Sequence, residues 1–284
     1  SDFLENINWS VAEKLFQDIH PDIVIHLAAK TGGILANKSY PATFVNSNML
    51  LVANIFELSK KYSVSKLLFF LPGCCYPKNI SVIKEEDLFT GFPDVHPAPG
   101  SMARSLGVLS SYAYKQQYGL NSFVLIPCNL YGKHDVFDPY NSHVIPSLML
   151  KMHNAKKDNL KNITLWGSGN SIRDFGFVED ITSLIPYFIE NDIKFTSENP
   201  CLENTCNIST GKGTSIKELA ETMVDVIGYN GKIEWDTSKL EGPACKIFDN
   251  ARMKSLGLEC KTSLRDGLTK TYKWYLENYD KTSM

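Results

Sequence analysis

The chain has 284 residues, 43% hydrophobic and 21% charged, with a formal net charge of -2. That composition supports a sizeable core in one large domain or two small ones. It offers no broad basic field for nucleic acid or anionic lipid, and no apolar run approaches the roughly 20 residues that span a bilayer.

The amino end, "SDFLENINWS", lacks the charged-then-apolar pattern of a secretory signal. "DIVIHLAA" (22–29) reads as a buried strand. "PATFVNSNMLLVANIFELSKKY" (41–62) reads as a long amphipathic helix with proline near its start and lysines at its end. "KLLFFL" (66–71) is the next strand, and it runs into a Pro-Gly kink followed by Cys74 and Cys75. "SMARSLGVLSSYAYKQQYG" (101–119) is a helix closed by Gly119, and "SFVLIPCNLYG" (122–132) is a third strand. Unbroken apolar strands alternating with helices predict a Rossmann-like parallel α/β sheet covered on both faces.

Beyond about residue 140 the pattern loosens. Helices are expected near 142–155 and 179–191, then at "TSIKELAETMVDVIGY", where Ser215 and Glu218 have capping-box spacing, and at "LRDGLTKTYKWYLENY". The organisation expected is a sheet domain over 1–140. A smaller mixed α/β substrate lobe, mainly 141–284, returns some segments to the sheet and lies over the carboxyl ends of the strands, where open α/β sheets bind ligands. The Gly-rich turn that holds a nucleotide phosphate in such folds is missing; the only early glycines of note are Gly32 and Gly33. A sheet lacking its first βα portion has an open edge.

The seven cysteines, at 74, 75, 128, 201, 206, 245 and 260, are odd in number and form no CxxC block. They read as reduced thiols of a cytoplasmic protein, with no metal site. Taken alone, Cys74 is a thiol at a strand end, His143 a helix cap, and Arg173 a surface ion-pair former.

Several segments together resemble GDP-L-fucose synthase, an extended short-chain dehydrogenase/reductase. They are "HLAAKTGGILANKSYPATFVNSNML", "QQYG", "NLYGKHDVFDPYNSHVIP", "LWGSGNSIRDF" and "DTSKLEGPACKIFDNARMKSLG". The resemblance implies a GDP-linked 4-keto-6-deoxy sugar as substrate, epimerised at C3 and C5 and then reduced at C4 with NADPH. It places Cys74 and His143 as the catalytic epimerisation pair, whose proximity would lower the thiol pKa. It places Trp166 and Arg173 near the sugar nucleotide, Lys246 near the diphosphate, Lys151 where the family usually has arginine, and Asn129 beside the reacting sugar. Both the family precedent and the long helices at 41–62 and 101–119 point to a homodimer.

The reduction machinery departs from the family pattern. Pro72 stands where the family has its catalytic serine, Gly100 at its tyrosine and Arg104 at its lysine. Proline and glycine carry no side-chain proton donor, and arginine titrates too high to relay one. Epimerisation needs no hydride and no cofactor; NADP(H), used by the family, has its binding here put in question. Three readings follow. The first is an epimerase that has lost reduction. The second is a non-catalytic paralogue that binds a GDP-sugar or a partner chain. The third is a complete NADPH enzyme whose amino-terminal segment lies outside this chain.

Overall fold

The computed structural model describes residues 8–32, 34–138, 142–239 and 242–279. Gly33 and the expected division at 140/141 lie outside the described residues. The first elements are α1 (Trp9–Ile19), β1 (Ile23–His26), α2 (Ile34–Ser39), α3 (Pro41–Lys61), β2 (Lys66–Phe70), β3 (Val82–Ile83), α4 (Ala98–Tyr118), β4 (Ser122–Pro127) and β5 (Asn129–Tyr131). They are followed by α5 (Val144–Lys157), β6 (Asn162–Trp166), β7 (Ile172–Arg173), β8 (Phe175–Phe177), α6 (Val178–Glu190), β9 (Thr205–Ile208) and β10 (Thr214–Ser215). The chain closes with α7 (Ile216–Ile227), β11 (Lys232–Asp236), β12 (Cys245–Phe248), α8 (Ala251–Ser255) and α9 (Leu264–Asn278).

The main sheet is parallel throughout, in the order β1-β2-β4-β9. Every residue of β2 is buried, as the apolar run "KLLFF" requires of a strand covered on both faces. One face packs Phe56, Phe69, Val108 and Val124, and the other packs Leu68, Phe123, Phe188 and Met253. Burying a side chain as completely as Phe56, at 0% exposure, stabilises by roughly 1.5–3 kcal/mol. β9, from the second half of the chain, completes this sheet. A separate core gathers α5, α7 and α9 around Met149, Met152, Leu219, Met223 and Leu268.

The strand-and-helix alternation predicted from the sequence is present, with shifted boundaries. α4 begins at Ala98 because Pro97 and Pro99 suit a first turn, whose N–H groups have no intrahelical acceptor. The single strand expected at 122–132 is two. Cys128 N–H still donates to Ile208 O, but Asn129 N–H donates to Asp174 O, and β5 leaves the main sheet to pair with β8. Ser215 caps α7 by accepting from Glu218 N–H at 3.0 Å. α1 was not anticipated, although Asn8 caps it by accepting from Ser10 N–H. Among the described residues β1 pairs on one side only. Ile23, Ile25 and Leu27 are exposed along this strand and the residue after it.

Candidate functional site

A cleft of about 610 Å³ opens at the carboxyl ends of β2 and β4. After Phe70 the ladder continues for one bond, Leu71 N–H to Leu125 O at 2.9 Å, and Pro72 then stops it. The next three residues form a tight turn, with Cys75 N–H donating to Pro72 O at 3.1 Å. This turn presents Cys74 to the cleft and turns Cys75 inward, where its thiol donates to Ser101 O at 3.1 Å. The opposite wall is the 127–135 segment and the start of α5. His143 occupies the N-cap position of α5 but makes no capping hydrogen bond through its side chain. It is exposed and lines the same cleft as Cys74.

The charged surroundings of the two side chains come from different neighbours. Burial pushes the Cys74 thiol up, opposed by Lys246, then Arg104, then hydrogen bonding to the Cys74 backbone and Ser101. The charged neighbour of His143 is Asp135, whose carboxyl is raised by burial and lowered in part by the Val136 N–H and by His143. Asp135 also lines the cleft. Sequence reasoning passed over it because an Asp in a "GKHD" loop carries no distinguishing pattern.

The remaining predicted residues divide between two compartments. A smaller cleft of about 230 Å³ holds Trp166 and Arg173, and it shares Asn129, Val144 and Phe175 with the larger one. Asn129 therefore stands at the junction; its side-chain amide donates to Asp174 O at 2.9 Å. Trp166 is 71% exposed. Arg173 donates to the carbonyls of Ile172 and Pro243. Lys246 lines the larger compartment, beside Cys74, rather than the Trp166 end. Lys151 is exposed, bonds the carbonyl of Thr164, and lies outside the residues lining either compartment. Among the described residues no group of three or more His, Cys, Asp or Glu side chains could hold a metal ion, and no helix is long and apolar enough to cross a membrane.

Residues 4–198 match the NAD dependent epimerase/dehydratase family. GDP-L-fucose synthase of Escherichia coli (strain K12) is 38% identical over 263 residues, which is 92% of this chain and 82% of that protein. GDP-L-fucose synthase 1 of Arabidopsis thaliana is 37% identical over 94% of this chain and 80% of that protein. The crystal structure of a GDP-6-OMe-4-keto-L-xylo-heptose reductase from C. jejuni superposes with a TM-score of 0.86 at 29% identity, covering 95% of this chain and 87% of that one. The parallel sheet, the cleft at its carboxyl edge and these likenesses agree: the chain belongs to the NAD dependent epimerase/dehydratase family, among the relatives of GDP-L-fucose synthase.

Proposed function

We propose that the protein binds a GDP-linked 4-keto-6-deoxy sugar and epimerises C3 and C5 through Cys74 and His143, without reducing C4. The observation that carries this reading is the shared cleft. Cys74 and His143, supplied by distant segments of the chain, line one cavity, and that cavity shares Asn129, Val144 and Phe175 with a second compartment holding Trp166 and Arg173. The relatives named GDP-L-fucose synthase support a GDP-sugar as ligand.

Protons next to the C4 ketone are acidic because the electron pair left behind moves onto the ketone oxygen. In this mechanism the Cys74 thiolate takes such a proton on one face, and the His143 imidazolium returns one on the other. Lys246 and Arg104 favour the thiolate against the burial that opposes it. Asp135, whose carboxyl is lowered in part by His143, lines the same cleft. Arg173 and Trp166 serve the nucleotide end.

The residues present do not fit a nicotinamide cofactor's reducing role. Pro72 and Gly100 offer no hydroxyl where the resemblance places serine and tyrosine. Arg104 turns its guanidinium onto Phe70 O at 2.9 Å. The epimerisation described above consumes no hydride and requires no cofactor.

Incubating the protein with GDP-4-keto-6-deoxy-mannose in D2O tests the reading. Deuterium is expected at C3 and C5 with wild type and not with Cys74→Ala. Absence of exchange in wild type, or equal exchange in the variant, rejects it. NADPH oxidation accompanying this substrate rejects the loss of reduction. Exposed Met49 and Leu50 on α3, with Leu106 and Leu109 on α4, support a homodimer formed through these packed helices. The exposed apolar edge at β1 supports a second reading, docking of another chain without catalysis. A hetero-oligomer by light scattering, with no thermal shift on adding GDP-mannose, would favour that one.

A further inference from the structure

Removing a proton next to the C4 ketone leaves negative charge on the C4 oxygen. A cleft that performs this step needs a donor aimed at that oxygen. The hydroxyls that the resemblance leads one to expect there are replaced by Pro72 and Gly100, so another group has to serve.

β12 supplies one. Successive side chains on a strand point to opposite faces, so Lys246 and Phe248 share a face, and both line the larger compartment. The Phe248 ring occupies the space a side chain at residue 73 would need. Glycine at 73 therefore lets the Cys74 turn settle against β12. That contact brings the Lys246 ammonium to Gly73 O at 2.7 Å, within the electrostatic reach of Cys74.

The other cations near the cleft are committed elsewhere. Lys133 pairs with Glu179 at 2.6 Å. Arg104 bonds Phe70 O and does not line the cleft. Arg173 belongs to the smaller compartment. An ammonium has three N–H donors, and the Lys246 bond to Gly73 O uses one. Among the described residues no carboxylate lies within ion-pair distance of Lys246, and Gly73 O is its hydrogen-bond acceptor.

We propose that Lys246 is a catalytic residue, the hydrogen-bonding cation that stabilises the C4 oxyanion while Cys74 holds the abstracted proton. The step balances within the site. The C–H bond at C3 or C5 breaks and its proton passes to the Cys74 sulfur. The electron pair becomes the enolate, whose oxygen accepts from Lys246. Reprotonation by His143 on the opposite face returns the ketone, and Lys246 keeps its protons throughout. Burial draws the Lys246 pKa down, with Arg173 adding to it, while the thiols of Cys74 and Cys75 and the more distant Asp94 carboxylate pull it up. The same positive charge also favours the thiolate that starts the reaction. This inference rests on the epimerisation reading, and it differs from the diphosphate contact that the resemblance implies for Lys246.

The test compares wild type, Lys246→Met and Lys246→Arg in two measurements. One is the rate of deuterium entry from D2O into GDP-4-keto-6-deoxy-mannose at saturating substrate. The other is the affinity for GDP, which carries the diphosphate but no hexose. For Lys246→Met we expect exchange slowed at least about 100-fold, the scale of losing one oxyanion donor, with GDP affinity unchanged within about 2-fold, a loss too small for a phosphate contact. Lys246→Arg should recover part of the rate. Should the Met variant not fold, Lys246→Gln, which loses the charge but keeps an N–H donor, is expected to slow exchange too, by less than Met. Wild-type exchange in the Met or Gln variant overturns the proposal while leaving the epimerisation reading intact. So does a large loss of GDP affinity with the saturated rate retained, which would return Lys246 to the diphosphate. Absence of exchange in wild type overturns both.

Discussion

The Phe248 ring stands over Gly73 so closely that a Cβ on Gly73 would lie 2.3 Å from its Cζ. Phe248 is 2% exposed and held among Tyr76, Ile83 and Leu71, so it has little room to retreat. Gly73→Ala should therefore destabilise the protein by about 1–3 kcal/mol, the usual scale of overpacking. Pairing it with Phe248→Leu should recover part of that loss, because residues in contact couple. Urea denaturation of the two single variants and the double variant checks this; an unchanged midpoint for Gly73→Ala would refute the crowding.

Two glycines of α4 should respond in opposite directions to alanine. A Cβ on Gly100 would meet Asn48 and Phe44 at 3.4–3.7 Å, ordinary contact distances. Gly100→Ala should stabilise by about 0.5–1 kcal/mol, since glycine is costly inside a helix. A Cβ on Gly107 would lie 2.3 Å from the Phe69 ring, which is buried against Phe56 and His26. Gly107→Ala should cost about 1–3 kcal/mol. Thermal melts that rank the two variants together would contradict the assignment.

Two buried groups should give stability opposite slopes with pH. Burial raises Glu85 from 4.5 to about 7. Between those values the folded state holds the extra proton, so this contribution is full below about 4.5 and is lost as pH rises through 7. Burial, and then the charge of Arg104, lowers His26 from 6.5 to about 4. Here the unfolded state holds the extra proton, so the contribution is present above 6.5 and is lost as pH falls toward 4. The two oppose each other between about 4.5 and 6.5. Glu85→Gln should expose the loss of stability on acidification, and His26→Gln the loss on raising pH. Chemical denaturation at pH 5, 6 and 7 reads both slopes; parallel slopes in the two variants would refute the pair.

Asp174 is fully buried and ties three segments to the site. Its carboxylate accepts from the Thr210 hydroxyl at 2.5 Å, from Gly211 N–H at 3.1 Å and from Phe248 N–H at 3.4 Å. Its own carbonyl accepts from Asn129. Asp174→Ala would strand these buried donors and should cost about 3 kcal/mol. The measurement is the denaturation midpoint together with GDP affinity, which should weaken as the Asn129 junction loosens. A fully stable variant would sink this account.

Much of the sheet was legible because its strands are short apolar runs bounded by turn residues, as in "KLLFF" and "SFVLIP". The break at Cys128 was not, because it depends on Asp174 capturing the Asn129 N–H from far along the chain. Cys74 and His143 could be placed in one site by resemblance. Their surroundings could not, because parallel pairing of β12 with β3 and β7 decides which cation reaches the thiol. Lys151 carries the expected charge, but local geometry turns it onto the Thr164 carbonyl. The slope of burial from Asn129 through Tyr131 was equally hidden. Tyr131 is buried with its hydroxyl against Gly267 and directed at Leu264 O, in a lobe assembled from the far end of the chain.

Trp166 is the most exposed of the four tryptophans, standing beside Arg173 with the Lys239 ammonium 6.0 Å from its ring centre. The molecule thus carries its own optical reporter at the end of the cleft remote from the thiol. A planar ligand settling there would strip water from the indole and shift its emission, whereas events confined to Cys74 would leave that emission unchanged. Occupancy can be followed by light and turnover by mass, on unlabelled protein and in a single sample.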